Sequence, residues 1–386
     1  MEEWKSYKLG DISTIQTGPF GSQLHQSDYV ESGVPCIMPT NIGRMLDFQV
    51  AGIAHISEGD ALKLSRHIVH EGDIVYSRRG DIEKCAYVSQ EQDGWFCGTG
   101  CLKITINSNL AVPKFVAYYL STDEIKSWIV GNAVGTTMLN LNTSVLADVP
   151  LSLPSIQMQK RCVQILDSIE NIIALNDRIN HNLEEQAQAL YKSWFVDFDP
   201  FKGGKFVDSE LGMIPEGWTV APLGCIATIS SGKRPPFKST VQNEEYQIPV
   251  LGASSVMAYT SEYLIEGLYI ITGRVGTLGE LQRVKGKIWP SDNTLVISSD
   301  YYNFVYQVLR EVDYSSLNRG STQPLLTQSD LKSWPIVLPP EDVLNRFESC
   351  SLSLTSSILM NIEQNGVLRN VRDSILPVLM HDGINS

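Results

Sequence analysis

The chain has 386 residues, is 43% hydrophobic and carries a formal net charge of -13. It has apolar material for two cores and no compositional sign of disorder, while the acidic balance argues on its face against a nucleic-acid partner. The polar start Met1-Glu-Glu-Trp-Lys5 lacks the layout of a signal peptide, and no apolar run approaches membrane-spanning length. Seven cysteines without a CxxC pair predict reduced thiols and a cytoplasmic protein.

In chain order, residues 1–154 read as a mixed domain. Short β-like runs at 72–77 and 101–106 are separated by Gly, Asn and Asp turns, and a helical stretch is predicted over 113–130. Residues 155–195 contain no Gly or Pro, and Leu166, Ile169, Ile173, Leu183, Ala187, Leu190 and Trp194 recur at three-four spacing. Asn176 and Asn180 take the two seam positions between them. This is a heptad-like helix interrupted by two amides, roughly 60 Å long at 1.5 Å per residue. Residues 196–213, rich in Gly, Asp and Phe, form a connector. A second mixed domain covers 214–339, a second long helix 340–380 and a tail 381–386.

The chain repeats itself. Pro150, Pro154, Arg161, Ile173, Asn176, Asn180, Leu183 and Leu190 return 185 positions later as Pro335, Pro339, Arg346, Ile358, Asn361, Asn365, Leu368 and Ile375. An offset held through polar and apolar positions alike marks an internal repeat. The domains repeat only in blocks. The offset is 214 near their starts (Leu9, Gly10, Thr17, Gly18 and Pro35 against Leu223, Gly224, Ser231, Gly232 and Pro249). It is 195 in the middle (Gly72 and Arg79 against Gly267 and Arg274) and 185 at the end (Gly135, Thr136 and Thr137 against Gly320, Ser321 and Thr322). Little is shared between the blocks, so a common scaffold carries two different surfaces. Two such faces and a stiff spacer suit a bipartite target, such as DNA segments one helical turn, roughly 34 Å, apart.

Four motifs give this organisation a family likeness: Gly18-Pro-Phe-Gly-Ser22, Gly135-Thr-Thr-Met-Leu-Asn-Leu-Asn142, Ser193-Trp-Phe-Val-Asp-Phe-Asp-Pro-Phe201, and Ile214-Pro-Glu-Gly-Trp218 followed by Pro222-Leu-Gly224. In this order, with the repeated helix, they resemble the specificity subunit of a type I restriction-modification system over essentially the whole chain. The resemblance implies an α+β fold with a pseudo-twofold repeat, in which two mixed target-recognition domains are separated by two long antiparallel helices. It implies that each domain reads half of a split site on double-stranded DNA. It further implies two methyltransferase subunits that bind S-adenosylmethionine, and restriction subunits that hydrolyse ATP with Mg²⁺, translocate and cut. The specificity chain itself is expected to hold no cofactor and to do no chemistry. The rival reading is a coiled-coil scaffold that spaces two protein-binding modules.

Catalytic motifs are missing. Asp199-Pro200-Phe201 lacks the second Pro of an amino-methyltransferase motif, and Gly273-Arg-Val-Gly-Thr-Leu-Gly279 lacks the Lys-Ser/Thr of a P-loop, so a turn between strands is expected. His67, His70, Cys97 and Cys101 are too loosely spaced for a zinc site, which has no counterpart in the second domain, and are expected to be buried structural residues.

The charge deficit is uneven. The first domain counts about -6 and the second about -1, the latter with basic clusters at 233–238 and 283–287. A local positive face suffices for recognition, and partner subunits would supply most phosphate contacts. Expected base readers sit on loops: Ser77, Arg78, Arg79 and Gly80 end a β-like run, with Arg274 as the counterpart of Arg79, and an Arg beside a Gly reaches a guanine edge bidentately. Lys233, Arg234 and Lys238 are expected to meet phosphates. Thr136, Thr137, Arg319, Ser321, Thr322 and Gln323 are candidates for DNA contact or for docking onto their domains. Asn176, Asn180, Asn361 and Asn365 are expected to hydrogen-bond across the helix pair and fix its register. Trp194, Phe195, Phe198 and Phe201 either cover a domain base or offer a docking patch for partners.

Overall fold

The computed structural model describes residues 4–43, 45–133, 140–276, 278–320 and 324–381. It divides into two units, Met1–Ile173 with Val367–Ser386, and Ala174–Gly366.

In the first unit, among the described residues, strands Ser13–Thr17, Cys101–Ile106, Ile74–Ser77 and Cys85–Tyr87 lie side by side in that order, all antiparallel. Ile74–Ser77 is buried at every position, as expected of a short β-branched and aromatic run covered on both faces. A second sheet runs Tyr29–Val30, Ala54–Ile56, Val34–Ile37, Phe96–Cys97 and ends in a parallel pair, Cys36 opposite Phe96. Lys5–Lys8 pairs antiparallel with Pro150–Leu153 and ties the two ends of the domain together. The predicted helix over 113–130 is two helices, Pro113–Leu120 and Asp123–Asn132. The break comes at Ser121 and Thr122, whose hydroxyls donate back to the Tyr118 and Tyr119 carbonyls and compete with helix propagation. The core joins Leu9, Tyr76, Leu102 and Phe115 to Leu166 and Leu376 of the long helices.

The second unit uses the same plan in one continuous sheet, ordered Thr228–Ser231, Thr294–Ser298, Ile265–Gly273, Leu281–Pro290, Ile248–Leu251, Val256–Thr260. The single strand Leu281–Pro290 pairs antiparallel with Ile265–Gly273 and parallel with Ile248–Leu251. In the first unit those pairings fall to separate short strands, Cys85–Tyr87 and Phe96–Cys97. Thr219–Pro222 pairs with Pro335–Leu338 as the terminal clasp. The core joins Leu223, Ile270, Leu295 and Phe304 to Tyr191, Phe195 and Phe347 of the long helices.

The long helices span Ile156–Phe195 and Glu341–Leu379. The second opens with Glu341 and Asp342 in its first turn, favourable charges at the positive end of the helix dipole. Within the first unit, Cys162 near the start of one helix donates to the Leu379 carbonyl at the end of the other, and Arg372 reaches Glu170 at 2.8 Å. Within the second unit, Asn176 meets Asn365 and Asn180 meets Asn361, both at 2.8 Å. In each unit rising numbers on one helix meet falling numbers on the other, which is antiparallel packing.

Candidate nucleic-acid interface

The first-domain site starts at Gly18, where a Cβ would stand 2.1 Å from the Gly98 carbonyl oxygen, so only glycine fits. The Thr99 hydroxyl donates to the Pro19 carbonyl and pins the loop that follows. That loop presents Phe20, which is 53% exposed, and the Arg78 guanidinium lies 5.7 Å from its ring centroid. Gln23 Oε1 accepts from the Phe20 N–H at 3.3 Å and from Arg66 Nη2 at 3.4 Å. Phe20, Gln23, Arg66 and Arg78 thus form one surface constellation. An aromatic ring, two guanidinium groups and an amide are the groups that stack on bases and read their edges. Sequence reasoning found Arg78 alone among them; the exposed Phe20 in a Gly-Pro-Phe-Gly loop was the available signal for the rest.

Arg66 is held in place by Nε donating to His67 Nε2 at 3.0 Å. Burial, then the charges of Arg66 and Lys103, push the His67 imidazole down to about 4, so it stays neutral and accepts that bond. The unfolded chain takes up the proton near 6.5, so the stability contributed is full above that value and is lost as pH falls toward about 4. Urea unfolding of the full chain between pH 7 and pH 4 should show this loss, and His67→Gln should shrink it; the same slope in both proteins would sink the assignment.

Strand pairing sets the correspondence between the domains. Thr17 faces Leu102, which faces Tyr76; Ser231 faces Leu295, which faces Thr272. One step on, the Arg78 N–H donates to the Gly100 carbonyl and its own carbonyl accepts from Leu141; Arg274 does the same with Asn293 and Leu326. Arg274 is therefore the counterpart of Arg78, which corrects the expected match to Arg79. Tyr76 lies four positions after Gly72, but Thr272 lies five after Gly267. That extra residue carries the match one place along, and Arg79 corresponds to Val275, each in an isolated bridge.

In the second domain Gly232 repeats the close approach, its Cβ position 2.2 Å from the Ser291 carbonyl oxygen. Beside it opens a cleft of about 400 Å³ lined by Ser231, Arg274, Thr327, Gln328, Ser329 and Lys332. Gln328 Nε2 donates to Ser231 Oγ at 2.8 Å. Lys233, Arg234 and Lys238 follow on an exposed loop, and Trp289 Nε1 donates to the Lys233 carbonyl and anchors its backbone.

Other expected contacts fall differently. Ser77 is buried and its hydroxyl donates to the Arg79 carbonyl, so it shapes the turn and does not reach solvent. Arg79 and Gly80 are exposed in that turn. Arg319 places Nε 2.8 Å from Asp330 Oδ1, and this bond raises the arginine's pKa and lowers the aspartate's. That bond ties it to its own domain, while its side chain stays 69% exposed. Arg283, expected in a basic cluster, is buried: Nε lies 2.7 Å from Glu184, and Tyr306 stacks 3.5 Å from the guanidinium. Thr136, Thr137, Ser321, Thr322 and Gln323 lie outside the described residues. His67, Cys97 and Cys101 are buried as expected, but His70 is exposed, its Nδ1 3.2 Å from the surface carboxylate of Asp93; among the described residues no group of three His, Cys, Asp or Glu side chains is placed to hold a metal.

Residues 1–185 and 215–346 match the family described as the type I restriction modification DNA specificity domain. The chain belongs to this family. This specificity subunit is 28% identical to the type I restriction enzyme MjaIX specificity subunit of Methanocaldococcus jannaschii, over 98% of this chain and 93% of that protein. It is 23% identical to the HindI specificity subunit of Haemophilus influenzae, over 100% of both. Its fold is similar to that of the type I restriction-modification S subunit from M. genitalium, with a TM-score of 0.58 at 13% identity, covering 99% of this chain and 97% of that one.

Two features of the subunit's helices bear on partners. Trp194, Phe195, Phe198 and Phe201 pack on one another and on Trp218 and Phe347, with centroids 4.9–6.3 Å apart, so packing is the reading the structure favours over a free docking patch. Apolar side chains away from the seam are exposed instead: Ile165, Ile172, Val367 and Val371 in the first unit, Leu175, Ile179 and Met360 in the second. The heptad reading assigned a single seam and overlooked them. Among the described residues no helix is long and apolar enough to cross a membrane.

Proposed function

We propose that this chain is the DNA-reading subunit of a type I restriction-modification complex, each domain reading one half of a bipartite site on double-stranded DNA. The observation that carries this reading is the paired arginine. Arg78 and Arg274 occupy the same hydrogen-bonded place in the two domains, yet Phe20, Gln23 and Arg66 surround one and Ser231, Gln328 and Lys332 the other. One scaffold with two chemistries suits two unlike half-sites. The helical pair sets the gap between them. Its exposed apolar residues, on helices already paired through another face, suit further helices from two methyltransferase subunits. Restriction and translocase subunits complete the assembly in the cytoplasm. S-adenosylmethionine, ATP and Mg²⁺ belong to those partners, and this chain does no chemistry. With a net charge of -13, the isolated subunit binds DNA weakly and gains affinity from its partners' phosphate contacts.

Co-expression with a methyltransferase subunit encoded beside it, followed by genome-wide mapping of methylated adenine, tests this. One split motif with two unlike halves and a fixed unspecified gap is expected. A stable complex that adds no such motif overturns the reading and leaves a protein scaffold.

A further inference from the structure

Every residue lining the second-domain cleft is polar, and its two planar hydrogen-bonding side chains, Arg274 and Gln328, come from separate elements. Arg274 leaves the end of strand Ile265–Gly273 with its backbone clamped on both sides, N–H to Asn293 at 2.8 Å and carbonyl from Leu326 at 2.9 Å. Its guanidinium has no partner among the described residues. Gln328 opens the helix Gln328–Lys332 and gives one amide N–H to Ser231 Oγ at 2.8 Å. That bond orients the amide, and among the described residues its other N–H and Oε1 have no partner, the donor and acceptor pair that matches N7 and N6 of adenine.

We propose that Gln328 is a base-reading residue of the second domain, presenting a bidentate amide to an adenine, with Ser231 its positioning residue and Arg274 the reader of a neighbouring guanine. This rests on the functional reading above and extends it to a named residue and base. The first domain places Thr143 at the position of Gln328 and Ala147 at that of Lys332 by the 185-residue offset, so this pair belongs to one half-site only. Gln328 escaped the sequence reading because it sits outside the Arg-Gly turns, and its partner Ser231 lies 97 residues away.

The test uses the complex with its methyltransferase subunits and a set of duplexes carrying each of the four bases at each motif position. The wild-type complex should prefer adenine at one position of one half-site. Gln328→Ala should lower that preference by about 10- to 100-fold and leave the other half-site and the gap unchanged. Gln328→Glu, which only accepts, should move the preference toward cytosine at the same position. Ser231→Ala should broaden the preference there, and Ser231→Thr, the residue type found at Thr17, should restore it. Preferences within twofold of wild type in Gln328→Ala at every position overturn the assignment. A wild-type complex with no bipartite preference overturns the functional reading and this inference together.

Discussion

Replacing Glu184 by alanine is expected to destabilise the second unit by about 3–5 kcal/mol, because it leaves a buried cation without its counter-charge. Arg283 lies on strand Leu281–Pro290 with a side chain 2% exposed, and Glu184 on the first long helix receives its Nε and Nη2 at 2.7 and 3.3 Å. Burial alone would lower the Arg283 pKa; the hydrogen bond and charge of Glu184 outweigh it and leave the pKa raised. Tyr306 and Tyr302 flank the guanidinium, and Nη1 is buried without a hydrogen-bond partner among the described residues, so little remains to satisfy it once Glu184 is gone. Arg283→Lys should lose much of the same stability, since an ammonium reproduces neither the fork nor the stacking. The paired change Glu184→Met with Arg283→Met should cost far less than either single change, because no charge is left buried. Urea unfolding of the full chain decides it: a Glu184→Ala midpoint indistinguishable from wild type would show the pair to be incidental. Because strand and helix meet here, the pair also sets how the second domain stands on its own helical segment.

The four-leucine variant at Asn176, Asn180, Asn361 and Asn365 is expected to unfold later than wild type yet to lose its single gap length. Asn176 Nδ2 donates to Asn365 Oδ1 and Gln364 Oε1, Asn365 Nδ2 to Asp177 Oδ1, and Asn361 Nδ2 to Asn180 Oδ1, all at 2.8–2.9 Å. Asn176 and Asn365 are buried, so sliding one helix past the other would strand their amides without partners. At about 0.5–1.5 kcal/mol net per hydrogen bond, the network favours this register by on the order of 2 kcal/mol or more. Leucine packs in several registers and removes the polar burial cost, so stability should rise while specificity falls. Methylome mapping of the variant complex is the readout. A gap as sharply defined as in wild type would mean that register is set elsewhere.

How far the sequence could be read depended on whether a feature was periodic or paired. The long helices, the seam amides and the repeat were legible, since a helix writes its contacts every three or four residues and a duplication copies them. Asp177 and Gln364 were missed from the amide network because neither sits on the heptad seam. The arginine match failed by one place for a related reason. In a strand a one-residue insertion moves every later side chain to the opposite face, and only the partner strand shows that it has happened. Arg283 read as basic surface because nothing local distinguishes a cation facing solvent from one whose carboxylate lies 99 positions away in the chain.

By itself the sequence determined the family, the duplicated plan, the two long helices and the presence of two unlike surfaces. The family follows from the resemblance of four ordered motifs to known specificity subunits, the rest from local periodicity and from residues shared between the two copies of the repeat. Only the tertiary structure decided which arginines are free, that Phe20, Gln23, Arg66 and Arg78 meet, and that Ser231 orients Gln328. The contacts that join separate elements here, Gln23 with Arg66, Phe20 with Arg78 and Ser231 with Gln328, link residues 43 to 97 positions apart. They exist only after strand register brings the loops to one edge of each domain.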